Sequence, residues 1–233
     1  MKLLIISGAS RGIGASIVEK FLQEGWRAMN LSRSPARHPQ AEHIQVDFSQ
    51  LQLLAEKFSA QHEILKKASQ ICLVHNAAHY EKDQIQAISP AAFEKTLRVN
   101  LMAPNILNQM CIPYMAKGSS IIYMGSTLAE KAVPGAASYI ISKHALVGMM
   151  RATCQDLTAQ GIHTCCISPG FTDTEMMRSH VGDSPEILQE IRQRVGANRL
   201  IHPKEIAALA WFCAHNPVID GAVLNAYLGQ IER

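Results

Sequence analysis

An α/β fold is what this sequence predicts: one doubly wound domain over residues 1–233, with a mostly parallel seven-stranded sheet and helices on both faces. Three observations predict it. Short apolar runs alternate with longer amphipathic segments, the pattern of strands joined by helical crossovers. The runs are apolar at consecutive positions, as strands covered on both faces must be. The first run passes directly into a glycine-rich turn, Ser7 to Gly14.

The strands are expected at Leu3–Ser7, Ala28–Ser32, Ile44–Val46, Ile71–His75, Ser120–Met124, Ile162–Ser168 and Ala222–Asn225. Helices are expected over Gly14–Glu24, Leu51–Ala60, Ala91–Cys111, Ala137–Ala159, Pro185–Val195 and Lys204–Ala214. Gly25 and Gly161 follow the first and fourth of these, where a left-handed cap is wanted. The Pro-, Arg- and His-containing stretch 34–39 reads as a loop, and no repeat or linker interrupts the alternation.

Composition narrows the function classes. A net charge of +3 with scattered basic residues gives no footprint for nucleic acid or a membrane surface. Six cysteines lack Cys-x-x-Cys spacing, and no histidine cluster has ligand spacing, so no zinc site is expected. Cys165 and Cys166 lie in an apolar strand and read as buried thiols, which suits a reducing cytoplasm. The apolar start is too short for a secretion signal, and no run is long enough to span a bilayer. The chain thus reads as soluble and cytoplasmic.

Glycines after a buried strand let the backbone turn tightly against a pyrophosphate, while the next helix points its N-terminal amides at the phosphates. The backbone of Gly8, Ser10, Arg11, Gly12, Ile13 and Gly14 would form that cradle, in the spacing Gly-x-x-x-Gly-x-Gly. The fold expected around it is Rossmann-like. An acid at the end of the second strand would select NAD through the ribose hydroxyl. The stretch Asn30–Ser34 has none, and Arg33 and Arg11 offer cations to a 2′-phosphate, so NADP(H) is favoured over NAD(H).

Tyr139 and Lys143 are four apart on an expected helix and share a face. A neighbouring ammonium would lower the phenol's pKa and improve proton transfer. Ser126 ends the fifth strand thirteen residues earlier, within reach through a strand-to-helix loop.

Together SGASRGIG (7–14), Asp47, HNAA (75–78), Asn100 in RVNLMAP, GS (125–126), YIISK (139–143) and SPGFTDT (168–174) closely resemble the compact branch of the short-chain dehydrogenase/reductases. The resemblance covers essentially the whole chain. It implies an NADP-dependent oxidoreductase that reduces a carbonyl, or oxidises the alcohol, of a small to medium substrate. Tyr139 would be the general acid or base, and Lys143 would tune it and bind the nicotinamide ribose. Ser126 would polarise the carbonyl, and Asn100 would hold a relay water. Asp47 and Phe48 would flank the adenine, and Asn76, Ala77 and Ala78 would line the ribose side. Pro169, Gly170, Thr172 and Thr174 would cradle nicotinamide and phosphates. The resemblance also implies a homodimer or homotetramer paired through Ala91–Cys111 and Ala137–Ala159.

Departures are His75 and Ala78, where the family's block reads Asn and Gly, and a tail, Leu224–Gly229, without the usual Asp-Gly-Gly. Ala78 is expected to constrain the backbone and shift the cofactor. The segment 175–199 is expected to form a helical lid with an apolar surface from Met176, Met177 and Val181. His79 and His180 are expected outside the pocket. Two other classes compete: a catalytically silent NADP(H)-sensing regulator of the same fold, and a scaffold with no cofactor affinity.

Overall fold

The computed structural model describes residues 1–230. All seven expected strands form one sheet: β1 (Lys2–Ser7), β2 (Arg27–Ser32), β3 (Glu42–Gln45), β4 (Gln70–His75), β5 (Ser120–Met124), β6 (His163–Pro169) and β7 (Ala222–Ala226). Their order is β3-β2-β1-β4-β5-β6-β7, and every pair is parallel rather than mostly so. The central strands β1, β4, β5 and β6 are buried almost throughout, whereas the edges β3 and β7 are half-buried and carry polar residues.

Two apolar layers follow from this burial. On one face, Phe58, Leu107, Tyr123 and Met150 pack over the sheet beneath α2 (Leu51–Ser59), α5 (Ala103–Cys111) and α6 (Ala137–Leu157). On the other face lie α1 (Gly12–Gln23) and α9 (Pro203–His215). There Phe21, Trp26 and Trp211 meet edge to face with centroids 5.0–6.0 Å apart, the arrangement favoured by ring quadrupoles. All six cysteines are free and buried.

α1 begins at Gly12, two residues before the expected start, and Gly25 and Gly161 take the expected left-handed conformation at φ 79° and 67°. A short α3 (His62–Lys66) adds to α2. The expected helix Ala91–Cys111 is not continuous. It divides into α4 (Pro90–Leu97), a π-helical turn over Arg98–Met102, and α5. Pro104 explains the break: it has no N–H for the Asn100 carbonyl four residues earlier, so the ladder widens there.

After β6 come α7 (Glu175–Val181) and α8 (Pro185–Gln193), helical as expected of the segment read as a lid. Its apolar residues Leu188, Ile191 and Leu200 gather with Phe171 and Met177 in a small cluster apart from both sheet layers. The tail secures its far end, since Gly196 N donates to Gly229 O at 2.7 Å and Ala197 N to Leu228 O at 3.2 Å. Among the described residues no helix is long and apolar enough to cross a membrane.

Candidate active site

The carboxyl ends of β1 and β4 lie side by side where the strand order reverses, the place at which open α/β sheets bind ligands. There the glycine turn is held from three sides. Asn30, fully buried on β2, accepts a hydrogen bond from Ala9 N at 2.9 Å. Asn76 donates from Nδ2 to the carbonyls of Gly8 (2.8 Å) and Ser7 (3.1 Å). Ser7 Oγ accepts from the backbone of Asn76 and Ala77, both at 3.0 Å.

Glycine is required at two positions for want of room. A Cβ on Gly8, at φ 72°, would lie 2.9 Å from Ala77 Cα. One on Gly14 would lie 2.5 Å from Gly8 O and 2.6 Å from Asn76 Nδ2. Ser10 and Ile13 are half-buried around the turn, Arg11 is exposed, and Gly12 faces the Thr174 side chain. Such a turn, opening onto a helix N-terminus, fits the pyrophosphate of a dinucleotide.

At the far end of β2, a cleft of about 310 Å³ is lined by Arg33, Val46, Asp47 and Lys57. Asp47 accepts from Ser49 N (2.9 Å) and Ser49 Oγ (2.7 Å). Those bonds hold its carboxyl below the usual range, with Arg33 and Lys95 adding charge in the same direction. Phe48 is buried in the sheet's apolar layer, so its ring faces the core rather than the cleft. Lys57, which no sequence motif marks, donates from Nζ to Gln45 O at 2.7 Å and sets a second cation beside Arg33.

Ser126, after β5, caps a short turn by accepting from Leu128 N at 3.1 Å, and its hydroxyl hydrogen-bonds the Tyr139 side chain. Lys143 is 3% exposed; its Nζ donates to Met124 O at 2.6 Å and lies 5.4 Å from the Tyr139 ring centroid. The tyrosine pKa departs from expectation. Burial pushes the phenol up to about 12, with Ser126 opposing it, and burial pulls Lys143 down to about 8. Desolvation is the dominant cause at both groups.

Asn100, in the π-helical turn, is buried rather than on a helix surface. Its Oδ1 accepts from His79 N at 2.7 Å, and its Nδ2 donates to His79 O at 3.0 Å and Ser142 Oγ at 2.8 Å. Ser142 donates in turn to the Tyr139 carbonyl at 2.7 Å. Asn100 is thereby linked through Ser142, a residue to which no motif gives a role, to the first turn of α6.

His75 is buried and neutral, with its pKa lowered to about 4 by burial. Its Nε2 meets Asn108 Oδ1 at 2.7 Å; Asn108 Nδ2 donates to Tyr123 Oη at 2.7 Å, and Tyr123 meets Thr153 Oγ1 at 2.9 Å. The histidine in place of asparagine is therefore absorbed by a polar chain across β4, β5, α5 and α6. Ala78 does not take a positive φ, so its side chain imposes no left-handed strain there.

After β6, Pro169 ends the strand and Gly170 lies against Tyr227. Buried Thr172 donates to Gly170 O at 3.1 Å, and Thr174 caps α7 by accepting from Met177 N at 3.1 Å. The side chain of His79 turns toward Glu81, as expected of a residue outside the pocket. The His180 ring packs 4.2 Å from that of Tyr80, which lies 5.0 Å from Tyr139.

Fold and site together define a class, the oxidoreductases that work on a nicotinamide dinucleotide. A family model described as enoyl-(acyl carrier protein) reductase matches residues 8–226. L-fucose dehydrogenase of Bos taurus is 26% identical over 226 residues, covering 91% of this chain and 83% of that protein. A 3-oxoacyl-(acyl-carrier-protein) reductase of Chlamydia trachomatis is 27% identical over 245 residues, covering 96% and 95%. The ligand-free aldohexose dehydrogenase of Thermoplasma acidophilum superposes with a TM-score of 0.89 at 27% identity, over 98% of this chain and 93% of that one. The chain belongs to the short-chain dehydrogenase/reductase family.

Proposed function

We propose that this chain, acting as one domain, is an NADP(H)-dependent enzyme that reduces a carbonyl, or oxidises the alcohol, of a small to medium organic substrate. Tyr139 is its general acid or base. The observation that carries the reading is the convergence of the Tyr139 phenol, the Ser126 hydroxyl and the buried Lys143 at the carboxyl end of β5.

A bound nicotinamide would supply or accept the hydride. The chain's own residues do the rest. Gly8, Ser10, Arg11, Gly12, Ile13 and Gly14 receive the pyrophosphate, and Asn76, Ala77 and Ala78 flank the ribose. Pro169, Gly170, Thr172 and Thr174 close the nicotinamide side, and Asp47 borders the adenine. Arg33 and Lys57, with no acid at the end of β2, favour a 2′-phosphate. Ser126 orients the substrate oxygen, and Tyr139, half-buried and a weak acid there, holds the proton to be donated to that oxygen. Asn100 fixes the segment around His79 and Ser142 and would hold a relay water. Exposed Met102 and Ile141 on the α4–α6 face support pairing into a homodimer or homotetramer.

The test is NADPH and NADH consumption with a panel of ketones, aldehydes, sugars and acyl thioesters, read beside Tyr139→Phe. The expected result is turnover with NADPH that falls at least about 10²-fold in Tyr139→Phe while NADPH still binds. An unmutated protein that binds NADPH but oxidises it on no substrate would favour a sensing role. One that gains no thermal stability from NADPH would favour a scaffold. Equal affinity for NADH and NADPH would overturn the cofactor assignment.

A further inference from the structure

The loop that follows β4 carries Tyr80 into a position between the candidate proton donor and the lid. The Tyr80 ring lies 5.0 Å from the Tyr139 ring at 58°, and 4.2 Å from the His180 imidazole at 64°, edge to face. Two residues a hundred positions apart in sequence are thus in contact beside Tyr139.

The two sides are held very differently. On the Tyr80 side, the preceding residue, His79, is fixed by both of its backbone bonds to Asn100. Three residues on, the Asp83 carboxylate accepts from Ser138 N at 3.1 Å and from the Ser138 hydroxyl, and Asp83 N donates to Gly135 O at 3.2 Å. α6 has alanine at its own N-cap and no side-chain cap, so Asp83 caps it from outside, one residue before Tyr139. Tyr80 is therefore tied to the same helix turn as the phenol it covers.

On the His180 side, α7 buries none of its residues. It ends at Gly182, whose φ of 100° suits glycine alone, and packs through Met177 into the lid's own small cluster. His180 Nδ1 faces the Met176 carbonyl, so the neutral ring carries its proton there and leaves Nε2 as an acceptor.

We propose that Tyr80 and His180 form a clasp across the substrate entrance and determine specificity. Substrate enters by parting the pair, its carbon skeleton lies on the Tyr80 ring, and a second hydroxyl beyond the reacting carbon donates to His180 Nε2. The substrate class this selects is a compact polyhydroxylated compound rather than a plain alkyl ketone or alcohol. The proposal rests on the reading of Tyr139 as the proton-transfer group.

Two alcohols of equal ring size test it on the full chain with NADP+, cyclohexanol and trans-cyclohexane-1,2-diol. The unmutated protein should show a KM for the diol about 10-fold below that for cyclohexanol, as one hydrogen bond of about 1.4 kcal/mol gives. His180→Phe should raise the diol's KM to that of cyclohexanol. Tyr80→Ala should raise KM for both and speed amide hydrogen exchange across α7, with NADP+ affinity held. The proposal is overturned by no preference for the diol, by a preference that survives His180→Phe, or by Tyr80→Ala leaving KM and α7 exchange unchanged. If neither alcohol is oxidised by the unmutated protein and no substrate of the wider panel is turned over, the proton-transfer reading fails. Unaltered α7 exchange in Tyr80→Ala then overturns the clasp, and faster exchange supports it.

Discussion

The cofactor half of the cleft and the lid half are built on opposite principles. Around the glycine turn, Asn30, Asn76 and Ser7 are buried or half-buried and bond directly to backbone, and the strands beneath have no exposure at Leu4, Ile5, Leu73 and Val74. The lid has one three-residue core, Leu188, Ile191 and Leu200, and meets the body partly through an exposed ion pair, Arg37 to Glu175 at 2.6 Å. Exposed pairs contribute little, about 0–1 kcal/mol. The difference teaches that one chain holds two kinds of order: a turn fixed through its backbone, and a segment of few buried contacts and low local stability.

The largest test of that contrast is Gly14→Ala. The new Cβ would meet Gly8 O, Asn76 Nδ2 and Ala9 Cα within 2.8 Å, atoms that the surrounding bonds do not let move. Loss of about 3 kcal/mol of stability is expected, and loss of the thermal shift that NADPH gives the unmutated protein. A retained NADPH shift would break the picture of a rigid cradle.

A smaller effect comes from Lys143, which the rigid half holds at a cost. Its folded pKa of about 8 lies below the ordinary 10.5, so the unfolded chain binds the extra proton between those values and stability rises with pH across that window. Below pH 8 the cost of burying the charge is fully present, about 3 kcal/mol. The lost bond to Met124 O offsets about 1 kcal/mol of any gain. Lys143→Met should therefore stabilise the protein by about 2 kcal/mol at pH 7, while abolishing turnover, with the gain fading toward pH 10.5. Denaturant melts across that range check it; a gain that grows with pH would contradict the sign.

The smallest expected effect lies in the lid. Leu188→Ala removes a side chain from a cluster able to collapse, and should cost about 1–2 kcal/mol, below the range of about 2.7–5 known for buried leucines. Its effect should fall on hydrogen exchange of residues 175–193 and leave β1 and β4 protected. Uniform loss of protection across the sheet would show that the two halves unfold as one.

The sheet was fully legible because burial on both faces leaves long apolar runs in β1, β4, β5 and β6. The order of the glycine turn, Ser126, Tyr139 and Lys143 was legible because each follows a strand end or shares a helix face. The π-helical turn was open to reading too, since Asn100 stands four residues before Pro104, but an unbroken apolar periodicity concealed it. Tyr80 and Asp83 had no signal, and the partner of His180 could not be named, because their meaning lies in contacts between segments distant in sequence. The Tyr139 shift runs opposite to the expected direction for a related reason: sequence proximity shows the neighbouring ammonium but not the desolvation that raises the phenol's pKa.

The burial of all six thiols has a practical corollary. Because no native cysteine competes for a maleimide in the folded state, a single cysteine placed on an exposed α7 position such as Met176 would take a fluorophore cleanly. Lid opening could then be followed in real time without first stripping the protein of its own sulfhydryls.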